Sequence, residues 1–546
     1  MRKLYQIGLP ILAICLTAVA ANAQSFRVQC PTSTITHPSA LHDNNSEPAY
    51  TGPTVLSAPS STTFQAPTSN VNGAIKCQQI SGGDGYATMG DGTQTYMFSF
   101  GPLSGLSDIA LGKPGTLSPS DFNTVAPGVL QVGDPATTIG ATVPLSSSDL
   151  SNLSSFYNGA VGLIPDTTGN TATPSDGHVD PRPIEDIGVM NGNIPAPLMA
   201  LDEDDEFFLT LSNVGMIMRP DLFEQHTVHF HGYPNASSFY DGVPDASVAI
   251  NIGGSFTYYY LAPDAGTYFW HCHITPPEHL QMGMVGQLYV RPRQNRVSSS
   301  ATLYSSLQTQ QSDLRTACRR AGDGGTPTIS TGTPPPDILC SNPVPFVDTG
   351  LSGGGKYAYN DGDGSTAYDV EYPLQIHGFD PSFHFVGMTF NPEQFVDMKD
   401  KYFLLNGRSY PDTVTEGPLQ TMSADGAVHF SQPLPSIINI PVGKKALLRI
   451  SDLDVTEYQT LASLGIPMHV VGINAKLLRD QAGNNLAYDT NSITLAGGES
   501  LDVILDATDT TKYPSGSVFY LYTPNLDHLS NDAENFGGLM TEVRIN

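Results

Sequence analysis

Basic residues are scarce in this chain, tryptophan occurs once, and no long apolar run follows the N-terminal leader. Lys and Arg total 24 against 52 Asp and Glu, for a net charge of -28. Such a balance excludes nucleic acid as a natural partner, because a phosphate backbone needs a basic surface. The acidity reads first as solubility, and it would also suit metal cations or basic redox proteins. Without a later apolar stretch of spanning length, no membrane span is expected. Charged residues make up only 14%, whereas Gly reaches 53 and Pro 43. This composition argues against helical bundles and for an all-β chain with many turns. At 546 residues there is room for several domains.

The leader itself is well marked. Arg2 and Lys3 precede an apolar stretch from Ile7 to Ala20 that ends at Ala21-Asn22-Ala23, the pattern of a secretory signal over residues 1–23. The expected location is therefore secreted, periplasmic or extracellular. Cysteine is sparse too, with 6 in all. Cys15 leaves with the leader, Cys30 can pair with Cys77 and Cys318 with Cys340, which an exported protein tolerates. Cys272 is then left as an unpaired thiol flanked by histidines.

Along the chain, residues 24–82 are rich in Ser, Thr, Pro and Asn and read as a loosely attached arm. Thr95 to Phe100 reads as a first strand, followed by a long loop-rich insertion at about 101–181. Strand signals are then dense between Asp186 and Pro292, at Gly188 to Met190, Glu206 to Leu211, Thr227 to Phe230, Ser255 to Tyr260, Gly266 to His271 and Gly286 to Val290. Within that block, Asp202 to Glu206 reads as a solvated acidic turn. Residues 294–355, with Pro334-Pro335-Pro336, read as a linker. A second β-rich block fills 356–546. Two tandem barrels are expected, the first over 83–293.

Six of the 14 histidines lie between His226 and His279. They fall in His226-Thr-Val-His229-Phe-His231-Gly232, in His271-Cys272-His273, and at His279, five positions before Met284. Imidazole, thiolate and thioether together form the ligand set of a redox copper, whereas a structural zinc site would show more cysteines and no Met. On a strand, residues two apart share a face and neighbours oppose. His229 and His231 therefore point together, as do His271 and His273, while Cys272 points to the opposite face. His226 can join the Cys272 side, to which the following loop can bring His279 and Met284, with Met282 as a competitor.

These elements resemble multicopper oxidases: H-x-x-H-x-H-G at His226 to Gly232, and H-C-H followed by H-x-x-x-G-M at His271 to Met284. Asn191 to Pro197, Asp241 to Pro244 and Gly266 to Trp270 look like the family's first-domain surroundings, so the likeness covers about Asp186 to Pro292. It implies Greek-key cupredoxin barrels and type 1 copper on His226, Cys272, His279 and Met284. Type 2/type 3 copper on His229, His231, His271 and His273 is implied as well. Two departures stand out. The loop from Cys272 to His279 is two residues longer than is usual in laccase-like members, and only four of the eight cluster histidines are visible. Tyr522-Thr-Pro524 occupies the place of H-C-H in the second block, and His469 is all that remains of its histidine element. That block reads as scaffold, with His377, His384, His429, His469 and His528 as core or surface residues, and Trp270 as packing beside the site.

The activity implied is electron uptake from a reductant at the type 1 copper, with Cys272 linking to His271 and His273, where dioxygen is reduced. A phenol, Mn(II), Fe(II), Cu(I) or a cytochrome could serve as reductant. Completing the cluster calls for a homo-oligomer or a partner protein. The rivals are a copper nitrite reductase-like enzyme, since His231 follows His226 by five residues, and a non-enzymatic type 1 copper carrier.

Overall fold

The computed structural model describes residues 28–58, 65–123, 191–216, 218–232, 237–262, 264–310, 348–388, 395–422, 428–480 and 483–546. The leader, most of the insertion, the strand expected at Gly188 to Met190 and the Cys318–Cys340 pair lie outside these residues. No helix among the described residues is long and apolar enough to cross a membrane.

The first block is a pair of four-stranded sheets. One sheet contains β1 (Ile75–Thr88), β2 (Gln94–Pro102), β4 (Glu206–Gly215) and β6 (Ser255–Leu261) in the order β2-β1-β4-β6. β1 and β4 run parallel, with Ile75 opposite Glu206, and the other pairs are antiparallel. The facing sheet contains β3 (Met199–Asp202), β5 (His229–Phe230), β7 (Gly266–His271) and β8 (Val285–Arg291) in the order β3-β8-β7-β5. Alternate residues of the two sheets meet in one core, where Phe98, Phe100, Leu209 and Leu211 pack with Trp270, Leu288 and Val290. Burying such rows away from water is the main stabilising term of a sandwich. The same core encloses Cys272, Met282 and Met284, so the sulfur donors stand inside the sandwich.

Two expectations need correction. The arm before Gly82 is not loosely attached in its described part, because Cys30 is disulfide-bonded to Cys77 and β1 begins at Ile75 as an interior strand of the first sheet. His37 is buried and stands 3.1 Å from the Glu206 carboxylate, which also accepts hydrogen bonds from Thr34, Thr36 and Tyr259. Polar composition hid this docking, since long-range partners satisfy groups that look solvated locally. The acidic run, likewise, is not solvated. Glu203, Asp204, Asp205 and Glu206 are buried, and Arg293 meets Asp204 at 2.9 Å and Glu203 at 3.6 Å. Carboxylates enter a core only when such partners come with them.

The second block is a larger sandwich. A seven-stranded sheet runs β10 (Tyr402–Leu405), β9 (Val370–Phe379), β12 (Lys445–Asp452), β16 (Ser500–Asp506) and β14 (Met468–Ile473), with the short strands Lys476–Leu477 and Tyr488–Thr490 both on β14. A five-stranded sheet faces it, ordered β11 (Ile438–Ile440), β18 (Met540–Ile545), β17 (Val518–Tyr522), β13 (Gln459–Leu464) and β15 (Ser492–Leu495). Between them lies an aliphatic core that includes Leu448, Ile450, Val470, Val503 and Leu521.

Buried polar contacts join the blocks. Gln287 donates to the Arg449 carbonyl at 2.9 Å and to Ser451 at 2.8 Å, and Thr267 donates to Asp502 at 2.7 Å. Glu371 accepts from Arg291 at 2.6 Å and from Arg449 at 3.0 Å. Burial pushes the Glu371 carboxyl up, but the Arg449 and Arg291 guanidiniums outweigh it and bring it down to about 2. A carboxyl lowered by folding stabilises the fold above its unfolded value of 4.5 and loses that contribution as pH falls from there through about 2. Glu371→Gln removes the nearer of the two carboxylates beside buried Arg449, leaving Asp502 at 3.5 Å, and is expected to cost about 3 kcal/mol near neutral pH. Urea unfolding at pH 7 and at pH 2.5 checks this: the deficit should shrink at the lower pH, and equal deficits would disprove the assignment.

Candidate metal centre

Two faces of β7 and its extension carry two separate sets of donors. Trp270 and Cys272 point into the sandwich, and His271 points out. Alternation along the chain therefore divides thiolate from imidazoles, as the spacing predicts.

On the inner side, Cys272, His226 and His279 are fully buried, and their ligating atoms lie within 4.8 Å of one another. Nδ1 of His279 stands 3.2 Å from Cys272 Sγ and Nδ1 of His226 stands 4.0 Å from it. Each residue reaches this point for a local reason. His226 sits on a bridge to Ile250 at the edge of the sandwich. His279 rides on α1 (Pro276–Met282), which starts with prolines at its first turn and ends at Gly283 with φ 116°; glycine suits that left-handed end. Met284 is buried beside them, because its N–H donates to the His279 carbonyl at 2.8 Å and its carbonyl accepts from the Cys272 N–H at 3.1 Å. The Thr227 N–H points at the sulfur at 3.4 Å.

Burial alone would raise the Cys272 thiol, yet His279 and His226 beside it hold it well below its ordinary value. Burial opposes a charge on His279 as well, but the Cys272 thiolate and then Glu224 push its imidazole up to about 10. Burial lowers His226. Both shifts favour a thiolate beside a protonated imidazole; the thiolate is the form that ligates a metal, whereas His279 must give up its proton to do so. Glu224, whose carboxylate is 3.6 Å from His279 Nε2 and 25% exposed, escaped the sequence reading. Its place two residues before His226 was the available signal, since extended residues two apart share a face.

On the outer side, His229, His231 and His271 form a second group within 4.8 Å. Nε2 of His231 is 2.9 Å from Nε2 of His271. His229 Nδ1 donates to the Asp241 carbonyl at 2.6 Å and His271 Nδ1 to the Cys272 carbonyl at 2.7 Å; bonds of this kind fix the ring and leave the other nitrogen to a metal. The His273 ring lies 5.1 Å from that of His229 and 5.4 Å from that of His271, beside the group of three. Burial, then the neighbouring imidazoles, brings His231 down to about 4 and His271 well below its usual value, so both rings stay neutral near pH 7. The face opens on a cleft of about 570 Å³ whose far wall includes Asp454, Glu457, Tyr458 and Gly498 of the second block.

The histidines of the second block join neither group among the described residues. His377 donates to the Leu280 carbonyl, His384 lies between the carbonyls of Tyr96 and Gln281, and His469 meets Asp489 at 2.7 Å. His528 stacks on Phe403 at 3.8 Å. The His429 side chain lies outside the described set.

A β-sandwich that buries one thiolate against two imidazoles beside a methionine defines a cupredoxin-like copper domain, since sulfur and imidazole donors together select copper. Residues 172–295 match the multicopper oxidase family model, and the chain carries a multicopper oxidase domain there. Over 128 residues it is 32% identical to laccase abr2 of Aspergillus fumigatus, covering 23% of this chain and 20% of that protein. Multicopper oxidase MmcO of Mycobacterium tuberculosis is 32% identical over 109 residues, 20% of each chain. The chain thus spans about a fifth of the length of the curated relatives it matches. Among solved structures, multicopper oxidase mgLAC is 14% identical with a TM-score of 0.46 and 87% of each chain covered. Copper nitrite reductase from Nitrosomonas europaea is 11% identical with a TM-score of 0.41, covering 86% of this chain and 94% of its own.

Proposed function

We propose that this chain is an exported copper oxidoreductase that takes electrons from a reductant at one copper site and delivers them to an imidazole-rich copper site where dioxygen is reduced. The copper domain begins at β1, and the second sandwich serves as its scaffold. One observation carries the reading: a fully buried Cys272 with two imidazole Nδ1 atoms within 4.0 Å of its sulfur. His226, Cys272, His279 and Met284 would hold the first copper. His229, His231, His271 and His273 provide the imidazoles of the second site.

Copper held by a thiolate supplies one-electron redox chemistry. The protein's own part is to keep that site dry inside the sandwich, to release the His279 proton on metal binding, and to join the two faces covalently through the His271-Cys272-His273 backbone. Glu224, 25% exposed, puts a carboxylate between the buried His279 and solvent, where a phenol or a metal cation would approach. Nitrite as the acceptor is a second reading, favoured by the tight group of three imidazoles.

Copper-loaded full-length protein is expected to consume dioxygen with at least one of a phenol, Mn(II), Fe(II) or Cu(I), measured with an oxygen electrode and repeated anaerobically with nitrite. Consumption of nitrite alone would select the second reading. Turnover of neither acceptor, by protein that does take up copper, would reduce the chain to an electron carrier.

A further inference from the structure

The loop that walls the cleft opposite the imidazoles starts at a pair of carboxylates that meet over one point. A Cβ added at Gly378 on β9 would stand 2.1 Å from Asp400 Oδ2 and 2.5 Å from Asp454 Oδ2, so only glycine leaves room for the pair. We propose that Asp400, Thr456 and Asp454 form a proton-held latch, which fixes the cleft wall Val455 to Tyr458 beside the imidazole face at low pH and frees it as pH rises. The latch is built from the chain's own carboxyls and is the same whichever acceptor the copper site serves.

Donors and acceptors at the pair do not balance without an extra proton. The Thr456 hydroxyl stands at hydrogen-bond distance from both Asp400 Oδ2 and Asp454 Oδ1, yet a hydroxyl has a single hydrogen to give. Donating to one carboxylate, it turns a lone pair to the other, and only a protonated carboxyl can answer that. Asp454 is already supplied, since it accepts from the Thr456 N–H at 2.7 Å, the Glu457 N–H at 3.3 Å and Gln459 Nε2 at 2.7 Å. The proton therefore sits on Asp400. Burial and then the Asp454 carboxylate hold the Asp400 carboxyl well above its ordinary value, against the hydrogen bonds from Thr456 and Gln281. The other groups around the pair do not neutralise it. Asp380 adds to the repulsion on Asp400, and buried Asp452 accepts the Asp454 N–H at 2.9 Å. Burial lowers His377 on β9, so it brings Asp454 no charge near pH 7. Lys399 and Lys401 are exposed, and Glu457 turns to His528 Nε2 at 3.3 Å.

The latch joins three segments. Asp400 also accepts from Gln281 Nε2 at 2.9 Å, which ties the loop to α1, the helix that carries His279. On its other side the loop backs onto a glycine turn: a Cβ at Gly497 would stand 1.9 Å from the Asp454 carbonyl, and one at Gly498 would stand 3.0 Å from His231 Nδ1. Loss of the proton leaves two carboxylates facing one hydroxyl hydrogen, and withdrawal of the loop from Asp400 relieves the repulsion. A carboxyl raised by folding stabilises the closed loop below its ordinary value of 3.8 and loses that contribution as pH rises through its folded value.

The test is amide hydrogen exchange by mass spectrometry on copper-loaded full-length protein from pH 5 to pH 9, corrected for intrinsic rates, with β16 as internal reference. Opening releases one proton, so exchange of the Thr456 and Glu457 amides should gain about tenfold per pH unit over β16 until the closed pair itself ionises. Asp400→Asn supplies a permanent donor that does not ionise, and its loop should be as protected at pH 9 as at pH 5. Thr456→Val removes the bridge and should leave the loop as open at pH 5 as the wild type is at pH 9. A wild-type loop equally protected across this range, an Asp400→Asn loop that opens along the wild-type course, or a Thr456→Val loop as protected as wild type at pH 5 overturns the inference. The wild-type course and Thr456→Val decide the matter even without a folded Asp400→Asn.

Discussion

Copper-loaded Cys272→Ser protein should be colourless in the visible and should pass no electrons from reductant to dioxygen. The intense band of such a site arises from a thiolate bound to Cu(II), and a serine oxygen supplies neither that absorption nor a soft ligand. Serine is nearly the same size, so the fold should survive. A hydroxyl buried where the Thr227 N–H points at sulfur can still find a partner, which limits the stability loss to about 1–3 kcal/mol. The comparison is therefore between folded proteins, checked by circular dichroism before absorption and oxygen consumption are measured. Persistence of the band in the variant would remove the central assignment. A retained band of lower intensity would do the same, because Cys272 is the only free cysteine among the described residues.

Trp270→Ala is expected to lower stability by about 3–5 kcal/mol, the range for removing a large buried aromatic. Trp270 is fully buried at the centre of the first core, 5.0 Å from the Phe100 ring and 6.0 Å from that of Phe230. It lies across from Gly286 on β8, and a Cβ at that glycine would stand 2.5 Å from the indole. Small and large residues are thus paired across the strands, and no neighbour can expand to fill the space. Trp270→Phe should recover part of the loss. Urea titration of the apo protein measures both variants, and a cost below about 1 kcal/mol for the alanine would show that the site collapses around the deletion. Because Trp270 precedes His271 and Cys272, the alanine variant should also bind copper less tightly than the phenylalanine variant.

Much of the fold was legible in the sequence. Ser255 to Tyr260, Gly266 to His271 and Gly286 to Val290 lie in strands at or within a residue of the expected limits. Aromatic and β-branched alternation bounded by Gly and Pro leaves few other choices there. Thr227 to Phe230 was read too long, and only His229–Phe230 pairs in a ladder. The chain at Thr227 instead turns its N–H toward sulfur, a tertiary contact that competes with strand pairing. The short helix carrying His279 was not foreseen, since seven residues beginning with two prolines show no helical period.

What the sequence determined by itself is the inventory of donors and the side of the strand each one takes. Alternation is a property of the extended backbone, so placing Cys272 opposite His271 needs no knowledge of the rest of the chain. Tertiary structure decided what faces those donors. Glu224 against His279, Gly498 against His231 and Glu457 on His528 join residues 55, 267 and 71 positions apart, and only packing brings such segments together. The acidic turn shows the same limit in its plainest form: Asp204 reads as solvent-facing until Arg293, 89 residues later, closes on it. Burial of a charge depends on its partner, and the partner is chosen by the fold.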